Sequence, residues 1–288
     1  VESAVGEFRK ALSDTASAAY RNQAGVLYRK LFQPLSGFLK TNRLTIVPHG
    51  SLHYLPFGAL YSGKDYLVDR ARLRMLPAAT VLKFLENRPG PNGLRMLIMA
   101  NPNLGDSRYD LKYAQAEALA ISRLTPKATL LLGDDAKASV MMIRAGQFGR
   151  IHLAAHGVFD PEDPLSSALL LSKGDGDLGL LKAASLYNLS LAADLVTLSA
   201  CETALGKITQ GDDVVGFTRG FLYAGASSII ASLWKVDDRA TMDLMVAFYS
   251  RLSTMPKDEA LRAAQLDVKA RYPHPYYWAS FQLTGNAN

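Results

Sequence analysis

One cysteine, Cys201, stands in a chain of 288 residues. A single thiol excludes an intramolecular disulfide and any CxxC metal site, and it makes a reducing, cytoplasmic interior the expected compartment. No apolar run reaches the roughly 18–20 residues that a membrane span needs, and the opening residues carry no signal-peptide pattern. The first residue is Val, so the chain is read as a processed piece with something ahead of it. The net charge is +6, yet no basic run with interleaved aromatics accompanies it, and neither nucleic acid nor membrane is expected as a partner. There is no GxSxG elbow, no GxxxxGK[ST] phosphate loop, no GxGxxG after a strand and no HExxH helix. No metal or cofactor is expected.

What the chain does have is an ordinary globular composition, 49% apolar and 20% charged, enough to bury a substantial core. Its charge is unevenly placed. Residues 1–43 hold seven bases and three acids, whereas residues 156–243 hold six bases and twelve acids.

The apolar pattern alternates between strand and helix. Strands are expected at 43–48, 72–77, 95–101, 128–133, 150–157, 167–172, 194–200 and 227–234. Helical spacing appears in 111–124, 138–147 and 212–225, and again where Thr241, Leu244, Met245, Phe248 and Leu252 mark one face. Asp237 and Asp238 stand at the start of that last helix, where a carboxylate caps free N–H groups. Leu27, Leu31, Leu35 and Phe38–Leu39 suggest a helix near the start, restarted at Pro34. The Gly/Pro/Asn-rich segments 87–93 and 101–107 read as loops, and KGDGDLG (173–179) as a hairpin turn. Strands that are apolar throughout, alternating with helices, predict an α/β fold: a mainly parallel sheet covered on both faces.

Ligands of such sheets bind beyond the carboxyl ends of the strands. Two strands deliver reactive groups there: one ends in His156–Gly157, the other in Cys201. An imidazole beside a thiol can take its proton and make a thiolate nucleophile. The backbone N–H groups of Gly157 and Cys201 are candidates for an oxyanion cradle. A core cysteine and a turn histidine are the plainer readings of each residue alone; their joint occurrence raises the catalytic one. His152 shares a strand face with His156 but lies between Ile151 and Leu153, and it reads as a hydrogen-bonded core residue. His49 and His274 sit beside Pro or Gly and His53 lies between Leu52 and Tyr54; all three read as structural. No third catalytic residue is apparent.

IHLAAHGVFD, LVTLSACETALG, GFLYAGASSIIASLWKVDD and HPYYWASFQLTG closely resemble the CHAT domain family, bacterial caspase- and separase-like cysteine peptidases often attached to TPR repeats. LTIVPHGSLHYLPFGAL, YLVDRARLRMLPAATVL and LIMANP look like the first half of that family, so the resemblance covers about residues 20–286. It implies a caspase-like three-layer sandwich and a cysteine endopeptidase with His156 as base and Cys201 as nucleophile, 45 residues apart, near the ~50 quoted for caspases. The caspase signature QAC[RQG]G is missing, so aspartate specificity is not inherited. Two further departures are QGDDVVG, where the family more often has Gly-Glu-Gly, and Lys235, where a Pro is common. On this reading residues 1–42 form a helical lead-in and 43–288 the peptidase domain.

The acidic balance around the two motifs suggests a negative cleft for a basic segment of a protein substrate. Asp212, Asp213, Asp237 and Asp238 are candidates to pair with a basic P1 side chain, although capping or a solvated face is the plainer reading of each. Trp234 either walls that pocket or fills core. A TPR or other sensor module is the expected regulator, joined through residues 1–43, in a bacterial defence or cell-death pathway. The alternative is a catalytically silent CHAT domain that serves as a protein-interaction platform.

Overall fold

In the computed structural model, residues 1–86, 93, 95–158, 163–174, 176–199, 201–202, 212–234 and 237–288 are described, with the main chain alone at 86, 201–202 and 212–215. Helices α1 (Glu2–Leu12) and α2 (Tyr20–Leu31) open the chain, followed by β1 (Arg43–Ile46), α3 (Leu67–Arg70), β2 (Arg72–Met75) and α4 (Val81–Glu86). The central run is β3 (Met96–Pro102), α5 (Lys112–Leu124), β4 (Ala128–Gly133), α6 (Ala138–Arg144) and β5 (Arg150–Ala154). Next come β6 (His156–Val158), β7 (Ala168–Leu170), β8 (Leu180–Lys182), β9 (Leu195–Leu198) and β10 (Cys201–Glu202). The chain closes with α7 (Asp212–Ala224), β11 (Ser228–Ser232), α8 (Asp238–Arg251), α9 (Lys257–Arg271) and β12 (Phe281–Gly285).

Eight strands form the main sheet in the order β1-β2-β12-β11-β9-β5-β3-β4. Strands β11, β9, β5, β3 and β4 are mutually parallel, as are β1, β2 and β12. The two blocks meet at the antiparallel pair β11–β12. Side chains alternate between the two faces, as a period of two requires. Met96, Ile98 and Ala100 join one core layer and Leu97 and Met99 the other. The first layer includes side chains of α1, α2, α5, α8 and α9; the second includes those of α6 and α7. This is the expected three-layer α/β sandwich. Val5, Phe8, Leu12, Ala24 and Leu27 of α1 and α2 belong to the first layer.

The structure differs from the sequence pattern in three places. The helical stripe after Leu31 is not buried: α2 stops there, a 3-10 turn follows at Gln33–Leu35, and Leu35, Phe38 and Leu39 are exposed. Pro34 explains the stop, because it has no N–H and crowds the preceding turn. The stretch 150–157 is two strands, and β6 belongs to a second, four-stranded sheet in the order β10-β6-β7-β8. The stretch 167–172 lies in that sheet as antiparallel β7. The 173–179 turn joins β7 to β8, with the Asp177 carboxylate accepting N–H groups of Gly179 (2.8 Å) and Ser139 (2.9 Å). The 87–93 loop lies outside the described residues except for Gly93. Among the described residues no helix is long and apolar enough to cross a membrane.

Candidate active site

β5 and β9 run side by side in the main sheet, with His152 opposite Thr197 and Leu153 opposite Leu198. Beyond Ala154 and Leu198 both chains pass into the second sheet. There β6 and β10 pair in parallel, Cys201 is the register partner of His156, and Glu202 that of Gly157. Adjacent strands lie about 4.8 Å apart. The structure therefore brings the main chains of His156 and Cys201 together.

His156 is 6% exposed. Its Nε2 lies 2.8 Å from the carbonyl oxygen of Tyr109. A carbonyl only accepts, so Nε2 carries a hydrogen, and the tautomer this contact selects has its lone pair at Nδ1. Nδ1 is buried and has no hydrogen-bond partner among the described residues. The Tyr109 ring meets the imidazole edge-on, with centroids 6.0 Å apart and planes at 82°. A base whose second nitrogen is oriented by another group is the arrangement that nucleophile activation calls for. Sequence reasoning missed Tyr109 because a main-chain carbonyl leaves no mark on residue identity.

The remaining predicted residues are placed as follows. Gly157 lies in β6 between β10 and β7, so its main chain has strand neighbours on both sides. Asp237 caps α8: its Oδ1 accepts the Ala240 N–H at 2.9 Å. Asp238 begins that helix, where a carboxylate meets the positive end of the dipole. The Trp234 indole N–H donates to the Tyr276 carbonyl at 3.1 Å, and its ring packs on the first core layer. The Leu233 carbonyl beside it accepts from Arg9 of α1 at 3.0 Å. The main chains of Asp212 and Asp213 start α7; their side chains lie outside the described residues, as do Lys235 and the Cys201 side chain.

His152 is fully buried on the first-layer face. Its Nδ1 lies 3.3 Å from the Tyr249 hydroxyl, which donates to Thr197 Oγ1 at 2.7 Å. Its Nε2 is 2.9 Å from Glu117 Oε1, at ion-pair distance without hydrogen-bond alignment. The network joins α5, β5, β9 and α8 behind the candidate site, and burial pushes the Tyr249 phenol up so that it stays an O–H donor.

Comparison with known proteins fits this architecture. Residues 21–286 match the model of the CHAT domain. The chain belongs to the CHAT domain family. Among curated proteins it is similar to tetratricopeptide repeat protein 28 of Mus musculus and of Homo sapiens, each 27% identical over 90% of this chain. The chain spans only 13% of the length of those relatives. Among solved structures, separase in the Saccharomyces cerevisiae separase–securin complex aligns with a TM-score of 0.57 at 14% identity, over 84% of this chain and 15% of that one. The Arg-specific cysteine proteinase gingipain R aligns with a TM-score of 0.56 at 10% identity, over 96% of this CHAT chain and 69% of that one. At such identities the likeness is one of fold, and the fold is the caspase-like sandwich.

Proposed function

We propose that this CHAT domain is a cysteine endopeptidase working through Cys201 and His156. In the first step Nδ1 of His156 takes the thiol proton, and the thiolate attacks the carbonyl carbon of a peptide bond. The oxyanion that forms is met by main-chain N–H groups, for which Gly157 and Cys201 are the candidates. As the tetrahedral species collapses, the C–N bond breaks and the Nδ1 proton goes to the departing amine. Water then attacks the thioester, gives one proton to Nδ1, and releases the carboxylic acid and the Cys201 sulfur.

The observation that carries this reading is the His156 ring itself. It is held at Nε2 by a carbonyl, has no hydrogen-bond partner at Nδ1 among the described residues, and belongs to the residue paired with Cys201. The acidic balance of 156–243 favours a basic substrate segment. Asp237 caps α8, and Asp212, Asp213 and Asp238 remain the candidates to meet a basic P1 side chain. The curated relatives are named for tetratricopeptide repeats, and such a module is proposed as the regulator, joined through α1 and α2.

The test is labelling by a peptidyl acyloxymethyl ketone with Arg at P1. Wild type gains the mass of one adduct and folded Cys201→Ala gains none. Failure of the folded wild type to react at saturating probe points instead to an interaction platform. A peptide library then reads P1, and a preference for apolar or acidic residues removes the basic-substrate proposal.

A further inference from the structure

Asn101 is the one non-glycine residue with a positive φ, 47°, among the described residues. L-residues avoid this left-handed region, and Asn enters it because its short amide can bond locally. The residue sits at the end of β3, where the register with β4 shifts between Ala100 and Pro102. Strain of this kind persists where neighbouring contacts enforce it. Here the contacts are two. Asn101 Oδ1 accepts the Leu111 N–H at 2.6 Å, and Nδ2 donates to Gln115 Oε1 at 3.1 Å on α5.

Between those points runs the loop that ends in Tyr109. None of residues 103–111 is buried, and the Tyr109 ring lies edge-on to His156. The loop's start is held by Asn103, whose N–H donates to Ser172 Oγ at 2.8 Å and whose Nδ2 donates to Asp134 at 2.7 Å. Its middle is a 3-10 turn at Ser107–Tyr109, capped by Asp106. Its end is held by Asn101, through a bond to a residue only two beyond Tyr109.

We propose that Asn101 is a positioning residue for His156: it closes the 101–111 loop so that the Tyr109 carbonyl faces Nε2 and leaves the lone pair on Nδ1. The catalytic consequence rests on the peptidase reading above, whereas the effect on the ring does not. Asparagine answers both demands at this position. Glycine would satisfy the backbone and make neither bond; aspartate would keep the acceptor for Leu111 and lose the donor to Gln115.

The experiment is long-range 1H–15N correlation of histidine-labelled protein, with His156 assigned by loss of its signals in His156→Gln. Wild type shows a protonated Nε2 and a bare Nδ1. In Asn101→Gly the two nitrogen shifts move toward each other as the tautomers mix. In Asn101→Asp they move the same way by less, and that variant serves alone should the glycine form not fold. In peptide hydrolysis, Asn101→Gly loses about tenfold to a hundredfold in kcat with KM little changed, the scale expected of misplacement of about 1 Å. Unchanged nitrogen shifts in the folded variants overturn the proposal. Moving shifts in a protein without peptidase activity keep it and defeat only the peptidase reading.

Discussion

His152 and His156 lie four residues apart on one stretch of chain, and the structure gives them opposite circumstances. His152 sits mid-strand in the main sheet, at 0% exposure, with Tyr249 at one ring nitrogen and Glu117 at the other. His156 sits in the second sheet with Nε2 held by Tyr109 and Nδ1 without a partner among the described residues. Burial does not separate them, since both rings are buried. The second nitrogen does. His152 Nε2 faces the Glu117 carboxyl at 2.9 Å, without hydrogen-bond alignment, so its ring links neighbouring elements, whereas His156 Nδ1 has no such neighbour among the described residues and is left open to proton transfer.

The largest effect that tests this contrast is on rate. His156→Gln should lower peptide hydrolysis by roughly 10²–10⁴-fold, the usual contribution of a positioned acid–base group, with a thermal midpoint close to wild type. His152→Leu should do the reverse. It leaves the Glu117 carboxyl in the core without its partner, so stability in denaturant titration should fall by about 3 kcal/mol, while kcat per folded molecule holds. Loss of activity at full stability in His152→Leu would erase the distinction between the two histidines.

A smaller effect is expected at Tyr249→Phe, which removes the hydroxyl joining His152 to Thr197. About 1 kcal/mol should be lost, the scale of a buried hydrogen bond, again without change in kcat. Smallest of all is a pH effect at His274. Its Nδ1 accepts the Tyr276 N–H at 3.2 Å, and its ring meets Tyr20 of α2 at 4.3 Å. Burial lowers its pKa below the ordinary 6.5, so the unfolded chain binds this proton more readily than the folded one. Its contribution to stability should therefore fall as pH drops below 6.5. Melting curves at decreasing pH should show wild type losing more than His274→Asn, and equal losses would contradict the assignment.

Much of the fold was legible because it rests on apolar periodicity. The runs at 95–101, 128–133 and 194–200 became β3, β4 and β9, and the stripe from Thr241 to Leu252 became α8 with Asp237 at its cap. α9 was not legible, since its buried face is mostly Ala260, Leu261, Ala264 and Val268 together with the charged Lys257 and Asp258. Burial lowers the pKa of that lysine, and Asp194 at 2.5 Å opposes the shift; a charge paired across 63 residues has no local pattern. The break at Ala155 was hidden for a different reason. Ala154 and Ala155 are both fully buried, so the apolar run continues through the point where the chain changes sheets. At the candidate site, residue type flagged His156 and Cys201, but Tyr109 acts through its carbonyl and Asn101 through side-chain bonds made from a left-handed backbone. Such roles are set by geometry across the fold, where composition and spacing carry no signal.

The central claim, that His156 and Cys201 act as a pair, is tested most directly by alkylation of Cys201 with iodoacetamide as a function of pH. The chain has no other thiol, so every adduct reports on this one. The account predicts that wild type reacts well below the ordinary thiol pKa of about 8.5, and that His156→Gln moves the profile up toward that value. Superimposable profiles for the two proteins would contradict it.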